Sequence, residues 1–158
     1  MTFFMFFITS IGSPVSFYLL SLALIGLLWL HNKKRDARGF FYVMSISAIL
    51  AVLIKYAVRR PRPPVTFYPE IGYSFPSAHA LLALIFFLCI ALFYESHFKS
   101  KVVKNVFIIC NISMVILISY SRVYLGVHYW SDVIGSLIIG SGIFLIYFYL
   151  RRRHLIKS

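Results

Sequence analysis

Acidic side chains and cysteines are scarce in this sequence. Its 158 residues include four Asp and Glu against sixteen Lys and Arg, and only two cysteines, Cys89 and Cys110. The carboxylates and histidines do not fall at the spacings typical of metal ligands, which argues against a metal centre. Both cysteines lie in apolar stretches, so we expect buried free thiols rather than a disulfide.

Charged residues of either sign are also few. They make up 13% of the chain, hydrophobic residues make up 61%, and the mean hydropathy is +0.87. A soluble domain has about 25% charged and about 45–50% apolar residues. Apolar runs of roughly 17–22 residues recur along the chain, which is enough to cross a hydrocarbon core of about 30 Å. The composition excludes a soluble domain and predicts one integral-membrane domain over residues 1–158.

The apolar runs predict an all-α transmembrane bundle of about five spanning helices. Residues 1–13 are apolar but too short to span, so we predict a short N-terminal helix in the membrane interface. This segment lacks a basic start and a small-residue cleavage site, so it is expected to be retained. The predicted spans are Pro14–His31, Gly39–Tyr56, Ser77–Tyr94, Val106–Tyr120 and Tyr129–Leu150.

The positions of the cations predict the orientation of the chain. Eleven of the sixteen Lys and Arg fall in the segments 33–38, 99–104 and 151–157, which follow alternate spans. The positive-inside rule makes that side cytoplasmic, with the C-terminus inside and the N-terminus outside. These segments are expected to contact anionic membrane lipids. No basic patch is interleaved with base-stacking aromatics, so nucleic acid is not an expected partner.

The remaining ionisable groups concentrate at the outer ends of the spans. Placing such groups near hydrocarbon costs free energy, so their presence there indicates a function. The loop 57–76 contains five of the six prolines, so it is not helical. The second outer loop runs from 122 to 127. In these loops and at their edges lie the candidate site residues Lys55, Arg62, Ser77, His79, Arg122, His128 and Asp132.

His128 and Asp132 are four residues apart at the start of the last predicted span. On a helix they would share a face. Asp132 could accept a hydrogen bond from one ring nitrogen of His128 and leave the other nitrogen as a nucleophile. The alternative is a structural pair in which Asp132 is favoured by the helix dipole.

Ser77 and His79 begin the third predicted span. Ser77 is expected to be the N-cap residue, and a helix start offers free N–H groups to a phosphate. Capping and phosphate contact are compatible. His79 in the first turn could serve as a general acid, whereas a lone histidine there would usually be structural.

Three cations are candidates for a phosphate clamp. Arg62 and Arg122 could form bidentate contacts with phosphate oxygens, and Lys55 supplies a point charge. The alternative is snorkelling of long side chains to the membrane surface, which we favour for Arg59 and Arg60.

The long outer loop and the last span each carry one further feature. Tyr68, Glu70 and Tyr73 lie in the long outer loop, where an entrance or lid role is open and a solvated loop is favoured. Ser136 and Gly140 form a small-xxx-small pair in the last span, which predicts close helix packing in lipid.

The segments KYAVRRPRP, PSAH and SRVYLGVHYWSD resemble the signature of the type 2 phosphatidic acid phosphatase superfamily, the lipid phosphate phosphatases. The family pattern is K-x6-RP, then PSGH, then SR-x5-H-x3-D. Ala78 departs from the pattern, where Gly is usual. An alanine keeps the backbone N–H for phosphate binding, but it disfavours a positive φ.

The resemblance implies a mechanism and roles for the matching residues. His128 would attack phosphorus to form a phosphohistidine, Asp132 would orient it, and His79 would protonate the leaving group. The phosphate oxygens would be bound by Lys55, Arg62, Ser77, Arg122 and the backbone of Ala78. No metal or organic cofactor is implied.

Several functional alternatives stay open at this stage. A lipid phosphotransferase would use the same site with another acceptor. A vanadate-dependent haloperoxidase shares the motifs but is soluble, and the complete set of site residues disfavours an inactive membrane scaffold. For a hydrolase in a bacterial inner membrane with an outward-facing site, the resemblance suggests lipid A 1-phosphate, undecaprenyl diphosphate or phosphatidylglycerophosphate as substrate. The oligomeric state is left open.

Overall fold

The structure is a computed structural model that describes residues 1–64, 66–67, 70–94 and 97–153. The predicted all-α class is confirmed, since the described residues form helices and no strand. Tyr68 and Lys157, which the sequence singled out, lie outside the described residues. The helices are α1 (Thr2–Ile11), α2 (Pro14–Leu30), α3 (Lys34–Val58), α4 (Ala78–Tyr94), α5 (Lys101–Tyr124) and α6 (Trp130–Arg152).

Helix α4 forms the centre of the bundle. It packs against α2, α3, α5 and α6, and it is apolar on every side, as a helix surrounded by others must be. The ring of Phe86 lies 5.2 Å from that of Phe17 on α2 and 5.9 Å from that of Phe40 on α3. Cys89 on α4 and Cys110 on α5 are both free thiols, as predicted. Cys89 is buried, but the predicted burial of Cys110 is wrong, because it lies on the exposed apolar surface of α5.

The outer helices present large apolar side chains to the surroundings. Ile49 on α3, Ile112 on α5 and Ile138 on α6 are all at least half exposed. An apolar outer surface of this extent marks contact with a membrane. Together with the length and composition of the helices, it identifies a multi-pass membrane protein.

The helices differ in how well their length suits a membrane span. Three helices, α3, α5 and α6, are long and apolar enough to cross a membrane, and the bent pair α1–α2, with an angle of 46°, makes four if it is one span. Helix α4 is apolar but has 17 residues, at the lower limit of about 17 for a span. Five spans therefore stays a prediction.

Three helices extend beyond their predicted ends. Helix α3 begins at Lys34 rather than Gly39, and α5 runs from Lys101 to Tyr124 rather than from Val106 to Tyr120. Helix α6 ends at Arg152 rather than Leu150. The predicted limits followed hydropathy, which marks the hydrocarbon boundary. Lys and Arg are good helix formers, so the backbone hydrogen bonds continue past that boundary. The predicted short N-terminal helix is present as α1.

The three basic segments lie at one end of the bundle. Nε of Arg151 donates to Oδ1 of Asp36 at 2.8 Å, which joins the end of α6 to the start of α3. Nζ of Lys33 lies 3.0 Å from Nε2 of His97, which is close in sequence to the basic segment 99–104. The outer loops lie at the opposite ends of the same helices, so the chain separates its anchoring cations from its candidate site.

Small residues on α6 allow it to approach α4 closely. Ser136 and Gly140 are both buried. A Cβ atom added at Gly140 would lie 2.9 Å from Cδ2 of Leu84 and 3.7 Å from the backbone oxygen of Leu81. The predicted role of this small-xxx-small pair in close packing is confirmed.

A larger side chain at Gly140 should loosen the α4–α6 contact. We expect Gly140→Leu to destabilise the protein by about 1–3 kcal/mol, the usual cost of overpacking a core. Gly142→Leu is the matched control, because a Cβ there meets nothing within 4 Å. The measurement is the thermal unfolding midpoint of the two purified variants in the same detergent. Equal midpoints would contradict this account of the packing.

Candidate active site

Five of the eight predicted site residues line one cavity at the end of the bundle opposite the basic segments. Ser77, Arg122 and Asp132 are not in its lining. This site cavity has a volume of about 330 Å³. It is formed where the end of α3, the starts of α2 and α4 and the two outer loops converge. Its lining includes the charged and imidazole side chains of Lys55, Arg62, Glu70, His79 and His128, and also Ala78 at the start of α4.

His128 and Asp132 are brought together, but not on one helical face as expected. Helix α6 begins at Trp130 with Tyr129 as its N-cap, so His128 precedes the helix. The Asp132 carboxylate turns back to the helix start, where Oδ2 accepts from the backbone N–H of Tyr129 at 2.9 Å. The same Oδ2 lies 3.5 Å from Nδ1 of His128. One carboxylate therefore caps the start of α6 and faces the imidazole of His128.

The imidazole of His128 is buried and has two different sides. Nδ1 faces Asp132, whereas Nε2 lies 3.4 Å from a guanidinium nitrogen of Arg62 in the site cavity. Burial lowers the pKa of His128 below its usual value, and the nearby cations Arg122 and Arg62 lower it further, while Asp132 opposes them. The lowered pKa keeps the ring neutral at neutral pH, which is the form in which Nε2 can act as a nucleophile.

Arg60 contacts Asp132 directly, so its predicted role as a snorkelling side chain is wrong. Its guanidinium donates to Oδ1 of Asp132 and to Oγ of Ser131, both at 2.7 Å, and lies 4.3 Å above the ring of Tyr129. Nothing in the sequence spacing indicated this contact, because it depends on how the loop after α3 folds over α6. Arg59, by contrast, is exposed, as predicted.

Glu70 lies between the two predicted clamp arginines. Its carboxylate forms ion pairs with Arg122 and, at 3.3 Å, with Arg62. The expectation of a solvated loop position is therefore wrong for Glu70, whose side chain is 25% exposed. Arg62 also donates to the backbone oxygens of Gly72 and Val127, at 3.1 and 2.9 Å, which fixes its guanidinium at the cavity wall.

Arg122 is almost completely buried, with 1% of its surface exposed. Its guanidinium donates to Oγ1 of Thr9 on α1 at 2.5 Å. The backbone oxygen of Arg122 accepts from the N–H groups of Val127 and His128, at 3.2 and 3.3 Å. Arg122 thereby links α1 to the turn that carries His128. No sequence pattern indicated Thr9, because α1 was expected only to lie in the membrane interface.

Ser77 and Ala78 form the start of α4. The backbone oxygen of Ser77 accepts from Leu81 N–H at 3.0 Å, as expected of an N-cap residue. Its N–H donates to Oγ of Ser136 on α6 at 2.8 Å. The buried Ser77 hydroxyl has no hydrogen-bond partner in the described part of the chain, so the structure gives it no capping contact. Ala78 is helical rather than at positive φ, so alanine is accommodated.

Lys55 and His79 complete the cavity. Nζ of Lys55 donates to the backbone oxygen of Tyr73 at 2.7 Å, which connects the end of α3 to the long outer loop. Tyr73 packs its ring edge-on against Tyr56 at 5.8 Å. His79 is buried in the first turn of α4. Across residues 1–64, 66–67, 70–94 and 97–153, no group of three or more His, Cys, Asp and Glu is placed to hold a metal ion.

The contact between Arg60 and Asp132 predicts a role in positioning His128. We expect Arg60→Gln to lower kcat about tenfold on any phosphate ester that the chain hydrolyses. Without the Arg60 cation, the Asp132 charge acts more strongly on His128 and raises its pKa. The acid limb of the kcat/KM profile should then move to higher pH, because the imidazole is protonated earlier as pH falls.

Arg59→Gln is the matched control, since it removes an equal charge from the adjacent, exposed position. It should leave both kcat and the pH profile unchanged. A pH profile that is the same in both variants would contradict the positioning role of Arg60, even if Arg60→Gln lost activity through misfolding.

Two curated proteins are similar to this chain over much of its length. Phosphatidylglycerophosphatase B of Bacillus subtilis is 34% identical over 145 residues, which cover 88% of this chain and 70% of that protein. The lipid A 1-phosphatase of Rhizobium johnstonii is 33% identical over 112 residues, which cover 64% of this chain and 42% of that protein.

Two solved structures have the same fold. The crystal structure of a transmembrane PAP2-type phosphatidylglycerolphosphate phosphatase from Bacillus subtilis matches with a TM-score of 0.87 and 25% identity, over 96% of this chain and 77% of that one. The structure of Aquifex aeolicus LpxE matches with a TM-score of 0.72 and 23% identity, over 94% of this chain and 85% of that one. The sequence model of the PAP2 superfamily matches residues 36–156, and the chain belongs to that superfamily.

Proposed function

We propose that this PAP2-type membrane lipid phosphatase hydrolyses the phosphate ester or diphosphate of an envelope lipid through a phosphohistidine on His128. The observation that carries the proposal is the orientation of the His128 ring. Nδ1 faces the buried Asp132 carboxylate at 3.5 Å, which leaves Nε2 directed into a cavity lined by cations. A neutral, oriented imidazole beside a phosphate clamp is suited to nucleophilic catalysis.

In the first step, Nε2 of His128 attacks phosphorus, and a P–N bond forms as the P–O bond to the lipid breaks. His79 gives its proton to the leaving oxygen. The phosphohistidine cation is stabilised by Asp132, which is itself held by Arg60 at 2.7 Å. In the second step, His79 accepts a proton from water, the water oxygen attacks phosphorus, and the P–N bond breaks to release phosphate.

The charges of the site suit a phosphate dianion. Four cations, Lys55, Arg60, Arg62 and Arg122, face the two carboxylates of Glu70 and Asp132, which leaves an excess of two positive charges. Glu70 holds the place between the arginines that a bound phosphate would take, and it moves aside as the phosphate enters.

Charge stabilisation is the largest contribution that this site can make. Uncatalysed hydrolysis of phosphate monoesters requires accelerations of up to about 10²¹-fold, and preorganised cations supply much of such an acceleration. Lys55, Arg62, Arg122, the Ser77 hydroxyl and the Ala78 N–H bind the equatorial oxygens in this proposal. The cations replace a metal ion as the source of positive charge, so the reaction is metal-independent.

The membrane location and the relatives support a proposal for the substrate. Phosphatidylglycerophosphatase and lipid A phosphatases are among the similar proteins, and we propose phosphatidylglycerophosphate, lipid A 1-phosphate or undecaprenyl diphosphate as substrate. We also propose that the protein lies in the bacterial inner membrane with the site outside. The basic segments at the opposite end of the bundle support this orientation.

A trapped phosphoenzyme tests the chemistry. Purified protein mixed with ³²P-labelled phosphatidylglycerophosphate or lipid A 1-phosphate in excess EDTA, and quenched in alkali within one turnover, should carry label that is stable to base and released by acid. His128→Ala should carry none and lose activity by at least about 10³-fold, the scale for removing a nucleophile. Turnover of such a lipid by His128→Ala above a few per cent would contradict the assigned nucleophile. Activity that EDTA removes and magnesium restores would contradict metal independence.

A pair of reporter fusions tests the orientation. Green fluorescent protein fused after Ser158 should fluoresce, because that end is proposed to face the cytoplasm, where this reporter folds. Alkaline phosphatase fused at the same place should be inactive, since it needs the oxidising periplasm for its disulfides. The reverse result would place the site on the cytoplasmic side.

A further inference from the structure

A second polar chamber adjoins the site cavity. It has a volume of about 550 Å³, and its lining includes Thr9, Ser10, Ser13 and Arg122. It shares Pro14, Glu70, Ile71 and His79 with the site cavity. Because Glu70 pairs with Arg62 of the site cavity and with Arg122 of the chamber, its carboxylate stands at the boundary between the two.

The walls of the chamber carry hydroxyl groups with unused hydrogen-bonding capacity. Oγ1 of Thr9 accepts from Arg122, and Oγ of Ser10 donates to the backbone oxygen of Phe6 at 2.8 Å. A hydroxyl has one donor and two acceptor sites, so Thr9 can still donate and Ser10 can still accept. Hydrocarbon would leave these groups unpaired at a cost, whereas a polyol or sugar would satisfy them.

The positions of the two histidines indicate which part of the substrate the chamber would contact. His128 lines the site cavity, and His79 lines both the site cavity and the chamber. In phosphoryl transfer the attacking and leaving atoms lie roughly in line on opposite sides of phosphorus. If His128 attacks and His79 protonates the leaving oxygen, as in the proposed function, the leaving group extends past His79 into the chamber.

We propose that the chamber binds a hydroxyl-bearing group, a polyol or a sugar, that separates the scissile phosphate from the hydrocarbon of the lipid. This inference rests on the proposed function and narrows its substrate class. Lipids with such a polar spacer are preferred over phosphatidic acid, in which diacylglycerol is attached directly to the phosphate.

The test compares two substrates in one detergent. Phosphatidylglycerophosphate carries a glycerol spacer, and phosphatidic acid of the same acyl chains does not. The wild-type chain should have the higher kcat/KM for phosphatidylglycerophosphate. Ser10→Leu places an apolar side chain in the chamber and should lower the ratio of the two kcat/KM values about tenfold. Ser10→Ala, which keeps α1 helical, should lower the ratio about threefold.

Ser113→Leu is the matched control, because Ser113 is exposed on α5 away from both cavities. It should leave the ratio unchanged. The inference is overturned if the wild type shows no preference, or if the Ser10 variants lower both kcat/KM values by the same factor. The proposed function itself fails if the wild type hydrolyses none of four lipids: phosphatidylglycerophosphate, phosphatidic acid, lipid A 1-phosphate and undecaprenyl diphosphate. The two failures are thus distinguishable.

Discussion

The arrangement of the site depends on one buried carboxylate. Asp132 is fully buried, and an ionised group in such a position is stable only when it is paired and hydrogen-bonded. Its donors are the Arg60 side chain in the loop after α3 and the Tyr129 backbone at the start of α6, and it faces His128 in the second outer loop. Two segments distant in sequence, the loop after α3 and residues 128–132, are held together because each supplies part of what the charge requires.

The motif residues could be predicted from sequence because their chemistry is unusual for a membrane chain. An ionisable group at the end of an apolar helix needs a reason, and the spacing of Lys55, Arg62, His79, Arg122 and His128 supplied one. Most of them do line one cavity. The prediction that His128 and Asp132 share a helical face was wrong, because His128 lies before the helix. The pair meets because a helix start attracts a carboxylate and the carboxylate turns back towards it.

The contacts that sequence reasoning missed are those between segments. Arg60, Glu70 and Thr9 each touch a predicted site residue more than 50 positions away, and no periodicity encodes such a contact. Helix ends were also misjudged, because hydropathy reports the hydrocarbon boundary rather than the end of backbone hydrogen bonding. The predicted fold class was nevertheless confirmed, because it depends on the length of the apolar runs and not on any single residue.

The small residues of α6 connect the packing of the bundle to the geometry of the site. Gly140 lets α6 approach α4, and one turn earlier Oγ of Ser136 accepts from Ser77 N–H at 2.8 Å and donates to the backbone oxygen of Asp132 at 2.6 Å. Ser136 therefore bridges the starts of the two helices that bear His79 and Asp132. A larger residue there would separate them, and a shift of about 1 Å at reacting groups can cost about 100-fold in rate. The close packing of these helices is thus a condition of the chemistry as well as of stability.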